Sequence, residues 1–297
     1  MNEEKKVVEL AEYAGFCSGV RRALSIVLNS RKLYTGPIYT LGPLIHNTYV
    51  IEKLKQMEIY PSEDLNEVKN VLVLRSHGTP QPLEEEARKK GLIVVDATCP
   101  FVKKAHKGAK ELEDEERKVI ILGDPNHAEV QGTASYVKSP LIISSVEEAM
   151  QVPEIERAGV VAQTTFSIQK FAKIISILSE KVKDLRVINT ICNATYQRQN
   201  AAIELAKRSD VMIVLGSRFS SNTNKLAEIC QSIVKTFHID LPEELDINAI
   251  KDAKRIGITA GASTPDDLIE EIIDRLKSAF APEIIRPNNS RGESNAD

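Results

Sequence analysis

An α/β fold of three similar β/α domains with parallel-rich sheets is what this sequence predicts. Short β-rich runs alternate with longer helical patterns from end to end. Most runs finish in a polar loop that leads towards the next helix. Three of the four cysteines, Cys17, Cys99 and Cys192, each follow a short extended segment at nearly even separations. They cut the 297 residues into a first unit over 1–98, a second over 99–191 and a third over 192–280, with 281–297 left as a polar, disordered tail. Strands separated by helices imply parallel sheets covered on their faces.

In the first unit, residues 18–31 place Val20, Leu24, Val27 and Leu28 at helical spacing. A strand over 37–41 runs into the turn GPLIHNT, and a helix covers 48–57. A strand over 70–74 ends in RSHGTP. The helix over 82–91 is closed by Gly91, as suits a glycine just past a helix end. The strand over 92–96 leads to Cys99. The second unit has a helix over 100–114, a strand over 118–122 ending in the loop GDPNHAEVQGT, and a short strand and helix over 141–151. A strand over 159–162 ends in QTTFS, an amphipathic helix covers 167–183, and 186–189 leads to Cys192. The third unit has a helix over 194–208, a strand over 211–215 ending in GSRFSSNTN and a helix over 223–233. Strands over 235–239 and 255–259 follow, the latter ending in AGASTP before a helix over 265–279.

Composition narrows the function. Hydrophobic residues make up 42% and charged residues 27%, so a core of useful size is available. A net charge of −3 lacks the basic footprint of a nucleic-acid binder. The charged N-terminus has no signal-peptide pattern, and runs such as VMIVL fall short of the ~20 apolar residues of a membrane span. A cytoplasmic protein is expected, where thiols stay reduced and cysteines serve metals or catalysis.

A cysteine at a helix N-terminus has a lowered pKa and favours the thiolate that binds metal. Three such thiolates suit an iron–sulfur cluster, or a zinc site completed by histidine; spacing alone also leaves three unrelated buried thiols open. Cys230, at an apolar position in LAEICQSI, reads as core. His46, His77 and His127 stand just beyond strands, whereas His106 lies on a helix and His238 within a strand. Thr164, Thr165, Ser220, Ser221, Asn222, Ser263 and Thr264 offer hydroxyls and an amide before helices, where they suit either capping or an anion. There is no P-loop and no dinucleotide fingerprint. Glu129, two residues after His127, is a candidate proton donor.

AGFCSGVRRAL, LGPLIHN, RSHG, DATCPFVKKAH, HAEVQG, QTT, NTICNATYQRQ, GSRFSSNTNKL and TAGAS stand in an order and spacing that resemble the 4-hydroxy-3-methylbut-2-enyl diphosphate reductases over about residues 13–280. The resemblance implies three α/β domains in a pseudo-threefold trefoil around a 4Fe–4S cluster. It implies Cys17, Cys99 and Cys192 as cluster ligands, with the fourth iron open. His46, His77 and His127 would surround an allylic diphosphate, and Ser220, Ser221, Asn222 and Ser263 would grip the diphosphate. Thr164 would sit near the substrate hydroxyl, and Glu129 would supply protons. Members use two electrons and two protons to remove the hydroxyl as water, giving isopentenyl and dimethylallyl diphosphates. With no flavin or nicotinamide fold in the chain, the implied electron donor is a separate carrier such as ferredoxin or flavodoxin, and the expected state is a monomer. The family pattern H-P-E-V is here HAEV, with Ala128 in the proline position.

Overall fold

The computed structural model describes residues 5–287. The chain divides into two compact units. One holds the residues up to Ser18, His46–Thr48 and the residues from Asn193 on; the other holds Gly19–Ile45 and Tyr49–Cys192.

In chain order the elements begin with β1 (Val7–Leu10), α1 (Ser18–Leu33), β2 (Ile38–Leu41), α2 (Thr48–Lys55), β3 (Ile59–Ser62), β4 (Val71–Leu74), α3 (Gln81–Lys89) and β5 (Ile93–Asp96). Next come α4 (Pro100–Asp114), β6 (Lys118–Leu122), α5 (Ala128–Ala134), β7 (Leu141–Ile143), α6 (Val146–Met150), β8 (Ile155–Ala162), α7 (Ile168–Lys181) and β9 (Val182–Val187). The last are α8 (Asn193–Ala206), β10 (Val211–Leu215), α9 (Ser221–Gln231), β11 (Thr236–Ile239), β12 (Arg255–Ala260), α10 (Asp266–Phe280) and β13 (Glu283–Ile285).

Three sheets form, in the orders β3-β2-β4-β5, β7-β6-β8-β9 and β11-β10-β12-β1-β13. Every strand pair is parallel. The central strands read as unbroken apolar runs because both faces are covered. β4 and β10 are buried along their whole lengths. In β6 the alternation is plain: Ile120 and Leu122 pack with Ile174 and Leu178 of α7, while Val119 and Ile121 pack with Ala109 and Leu112 of α4.

The three sheets share one plan. Two strands lie side by side, β2 and β4, β6 and β8, or β10 and β12, and the intervening strand is added outside the first of each pair. A fourth strand flanks the second of the pair: β5, β9 or β1. The fourth strand is the one whose chain continues to Cys99, Cys192 or Cys17. So β1 belongs with the last third of the chain, not with the first unit as the even division into 1–98 has it. The amide of Ala11 donates to the Ile258 carbonyl and extends that pairing.

Three further segments differ from the sequence reading. Glu283–Ile285, inside the expected tail, adds a parallel strand beside β1; 288–297 lie outside the described residues. The strand β3 carries Pro61, which is tolerated because it lies at a sheet edge. Residues 128–134, read as loop, form α5, whose only large apolar residue is Val130 and which therefore has no periodicity to reveal it.

Candidate functional site

In open α/β sheets, ligands sit beyond the strand carboxyl ends, at the point between neighbouring strands where the winding reverses. In each sheet that point lies between the paired central strands. The segments after them, loops and the first turns of α5 and α9, carry His46 and His77, then His127, Glu129 and Thr164, then Ser220, Ser221, Asn222 and Ser263.

The cysteines are pinned to these loops in an equivalent way. The Cys99 amide donates to the carbonyl of Ser76, two residues beyond β4. The Cys192 amide donates to that of Thr164, two beyond β8, and the Cys17 amide to that of Ala262, two beyond β12. Each cysteine immediately precedes a helix, and all three are half-buried. Cys230 is the opposite case: it is fully buried beside Leu226 and Met212, and burial pushes its thiol up to about 12.

The larger unit gathers Cys99, Cys192, His77, His127, Glu129 and Thr164. The His77 and His127 rings stand edge to face, with centroids 6.1 Å apart. His127 caps α5: its Nδ1 accepts from the Glu129 amide at 3.1 Å. That acceptor role leaves Nδ1 without a proton and puts the neutral ring's proton on Nε2. Burial lowers the His127 pKa, with Asp124 opposing and Arg75 reinforcing the shift, so the neutral form is favoured. Glu129 is 3% exposed. Its Oε1 accepts from the Thr164 amide at 2.5 Å and its Oε2 from the Thr164 hydroxyl at 2.8 Å. Burial outweighs both bonds and raises this carboxyl to about 7.

The smaller unit gathers Cys17, His46, Ser220, Ser221, Asn222 and Ser263. Ser263 Oγ donates to the His46 carbonyl at 3.1 Å. Ser220 caps α9, accepting from the Thr223 amide. Asn222, in the first turn, is 4% exposed, and neither amide atom has a hydrogen-bond partner. A buried side-chain amide without partners is costly. At a helix N-terminus, where backbone N–H groups point outward, it forms a cradle suited to an anion's oxygens. Backbone approach is very close here: a Cβ on Gly261 would stand 2.0 Å from Thr223 Oγ1, and one on Gly216, at φ +134°, 2.2 Å from Thr264 Oγ1.

Sequence reasoning passed over two arginines. Arg75 Nε donates to the Gly78 carbonyl and ties down the His77 turn. Arg198, 2% exposed, donates to the Gly15 carbonyl at 2.8 Å, two residues before Cys17. It shares a helical face with Ala202 and Leu205, and a charge on an apolar stripe is the signal that marks it. A Leu-Gly pair at 41–42, 122–123 and 215–216 also repeats at the end of β2, β6 and β10. Each glycine amide continues the ladder to the neighbouring strand. Among the described residues, no group of three or more His, Cys, Asp or Glu side chains is assembled as a metal site. No described helix is long and apolar enough to cross a membrane.

A family profile described as LytB protein matches residues 8–277. The chain belongs to the LytB family. Among its relatives, 4-hydroxy-3-methylbut-2-enyl diphosphate reductase of Aquifex aeolicus is 41% identical over 283 residues, covering 93% of this chain and 98% of the relative. The protein of the same name from Thermoanaerobacter sp. is 44% identical over 275 residues, covering 90% and 96%. In three dimensions, the Plasmodium falciparum E-1-hydroxy-2-methyl-but-2-enyl-4-diphosphate reductase superposes with a TM-score of 0.91 at 31% identity, covering 96% of this chain and 93% of that one. A second solved structure, an (E)-4-hydroxy-3-methyl-but-2-enyl diphosphate reductase described as the terminal enzyme of the non-mevalonate pathway, gives 0.67 at 41% identity, covering 92% and 99%. The α/β architecture with three parallel sheets is thus a family property.

Proposed function

We propose that this chain is an oxidoreductase that removes the hydroxyl of (E)-4-hydroxy-3-methylbut-2-enyl diphosphate. Two electrons and two protons enter, one water leaves, and isopentenyl and dimethylallyl diphosphates are the products. The observation that carries the reading is kinship over nine-tenths of the chain with reductases of this substrate.

The cysteine chemistry fits an iron–sulfur group. Three half-buried thiols, each before a helix and each held by its own amide, suit thiolate ligation. Cys17, Cys99 and Cys192 would hold the 4Fe–4S cluster, and Cys230, with its raised pKa, would not. With three protein ligands, such a cluster supplies electrons and one open iron that acts as a Lewis acid.

The remaining roles belong to the chain's own side chains. The diphosphate is too anionic to bury unpaired. The α9 N-terminus, Asn222, Ser220, Ser221 and Ser263 supply donors for it. His46, His77 and His127 line the rest of the substrate, and His127 carries its proton on Nε2 as a donor. Glu129, protonated near neutral pH, passes its proton through the Thr164 hydroxyl to the departing oxygen. Electrons arrive from a small carrier such as ferredoxin or flavodoxin. We place the protein, as a monomer, in the cytoplasm.

Ala128 is compatible with these roles. It is the first residue of α5, a position that favours proline because its amide lacks an intrahelical partner. Alanine keeps the helix, and His127 still caps it.

The test is anaerobic incubation of iron-replete protein with the allylic diphosphate and a reduced viologen. Both five-carbon diphosphates should form, with two viologens oxidised per substrate. Viologen that stays reduced while substrate persists would refute the assignment. Loss of water from the substrate without viologen oxidation would favour a redox-neutral hydro-lyase.

A further inference from the structure

His106 is not among the residues with an assigned role, yet its ring packs against glycines close in sequence to two that are, Gly78 after His77 and Gly132 one turn from Glu129. Its ring is 6% exposed on α4 and stacks on Tyr136, with centroids 4.5 Å apart and planes at 24°. The Cε1–Nε2 edge of the ring meets two glycines. A Cβ on Gly78 would stand 3.0 Å from His106 Cε1 and 3.1 Å from Val102 Cγ1, one turn earlier on the same helix. A Cβ on Gly132 of α5 would stand 3.5 Å from His106 Nε2. Gly78 follows His77 and holds φ +86°, a conformation that favours glycine. Gly132 lies one turn beyond Glu129, on the same side of α5. The same Gly132 Cβ would stand 3.7 Å from the Thr79 amide nitrogen and 3.8 Å from the Gly78 carbonyl carbon, so the imidazole edge packs where the His77 turn meets the helix carrying Glu129.

Two facts argue that ring shape, not hydrogen bonding, is what the position uses. His106 Nε2 is buried and has no hydrogen-bond partner. Burial holds the imidazole at a pKa of about 4, with Asp96 opposing and Lys103 adding to the shift, so the ring is neutral. His106 and Tyr136, with Thr79 and Thr98, also line a solvent-facing cavity of about 760 Å³ whose other walls are charged, Asp96 and Lys103 among them.

We propose that His106 is a positioning residue: its ring, clamped by Tyr136, fixes the spacing of the Gly78 turn and α5 and keeps water in the adjoining cavity from reaching Glu129. The proposal rests on the role given to Glu129, but its test does not depend on turnover. The Glu129 carboxyl is titrated in the intact protein by infrared difference spectroscopy, with Glu129→Gln as the blank. The wild type should titrate near 7. His106→Phe, which keeps a flat ring at this contact, should titrate with the wild type. His106→Ala should admit water and lower the midpoint by about one unit or more. Tyr136→Ala, which loosens the clamp from its solvent side, should shift it in the same direction should His106→Ala fail to fold. An unchanged midpoint in His106→Ala or, where that variant does not fold, in Tyr136→Ala would overturn the proposal. So would an equal fall in His106→Phe, which would assign the effect to the nitrogen. A reductase assay that fails while these shifts appear would count against the proposed function alone.

Discussion

The Glu129 carboxylate accepts both the backbone amide and the hydroxyl of Thr164, at 2.5 and 2.8 Å, and is still raised to about 7 because the pair is buried. Thr164 in turn offers its carbonyl to the Cys192 amide. One residue thereby joins a candidate proton donor to a candidate cluster ligand. Glu129→Gln keeps the size of the side chain and removes its proton. Turnover should fall about 10²–10⁴-fold, the usual contribution of a positioned acid. Diphosphate affinity by calorimetry should stay within a few-fold, since the Asn222 cradle is untouched.

The same carboxyl sets a pH dependence. As the active form is protonated, kcat should decline as pH rises through about 7. Stability follows the same direction. The folded-state pKa lies above the unfolded value near 4.5, so the native chain holds a proton that the unfolded chain has lost between about 4.5 and 7. This contribution is fully present below 4.5 and is lost as pH rises through 7, on the order of 3 kcal/mol in all. Buried, neutral His106 and His127 push stability the other way over the same window in both proteins, so the difference in urea-unfolding free energy between wild type and Glu129→Gln should fall as pH rises from about 4.5 to 7.

Asn222 separates binding from folding. Its amide atoms lack partners and cost stability where they stand. Asn222→Ala should leave the melting temperature unchanged or raised. Substrate affinity should weaken by roughly 10- to 100-fold, equivalent to about 1–3 kcal/mol. A parallel loss of both would make Asn222 a structural residue.

Much of this was legible in the sequence for physical reasons. Apolar runs such as VLVL and VMIVL must be buried on both faces, and their alternation with helices leaves parallel sheets as the outcome. Loops placed after strands carry the candidate site because the fold puts ligands there. What escaped detection was nonlocal or weakly patterned. The pairing of β1 with β12 spans almost the whole chain, and no local signal could connect Val8 with Ile256. The helix α5 is short and built on small residues, so HAEVQGT reads as loop until Glu129 is seen to bond Thr164. Arg198 and His106 sit on apolar helical stripes, where a buried polar residue is a usable signal.

Iron and sulfide content tests the central claim, that one cysteine after each sheet's fourth strand ligates a common cluster, most directly. Anaerobically reconstituted wild-type protein should be brown and carry a full 4Fe–4S complement. Cys17→Ser, Cys99→Ser and Cys192→Ser should each lose most of it. Cys230→Ser should keep its iron and lose only melting temperature, by the cost of a hydroxyl in an apolar core, about 1–3 kcal/mol. A colourless protein carrying zinc, or iron lost equally from Cys230→Ser, would contradict the account.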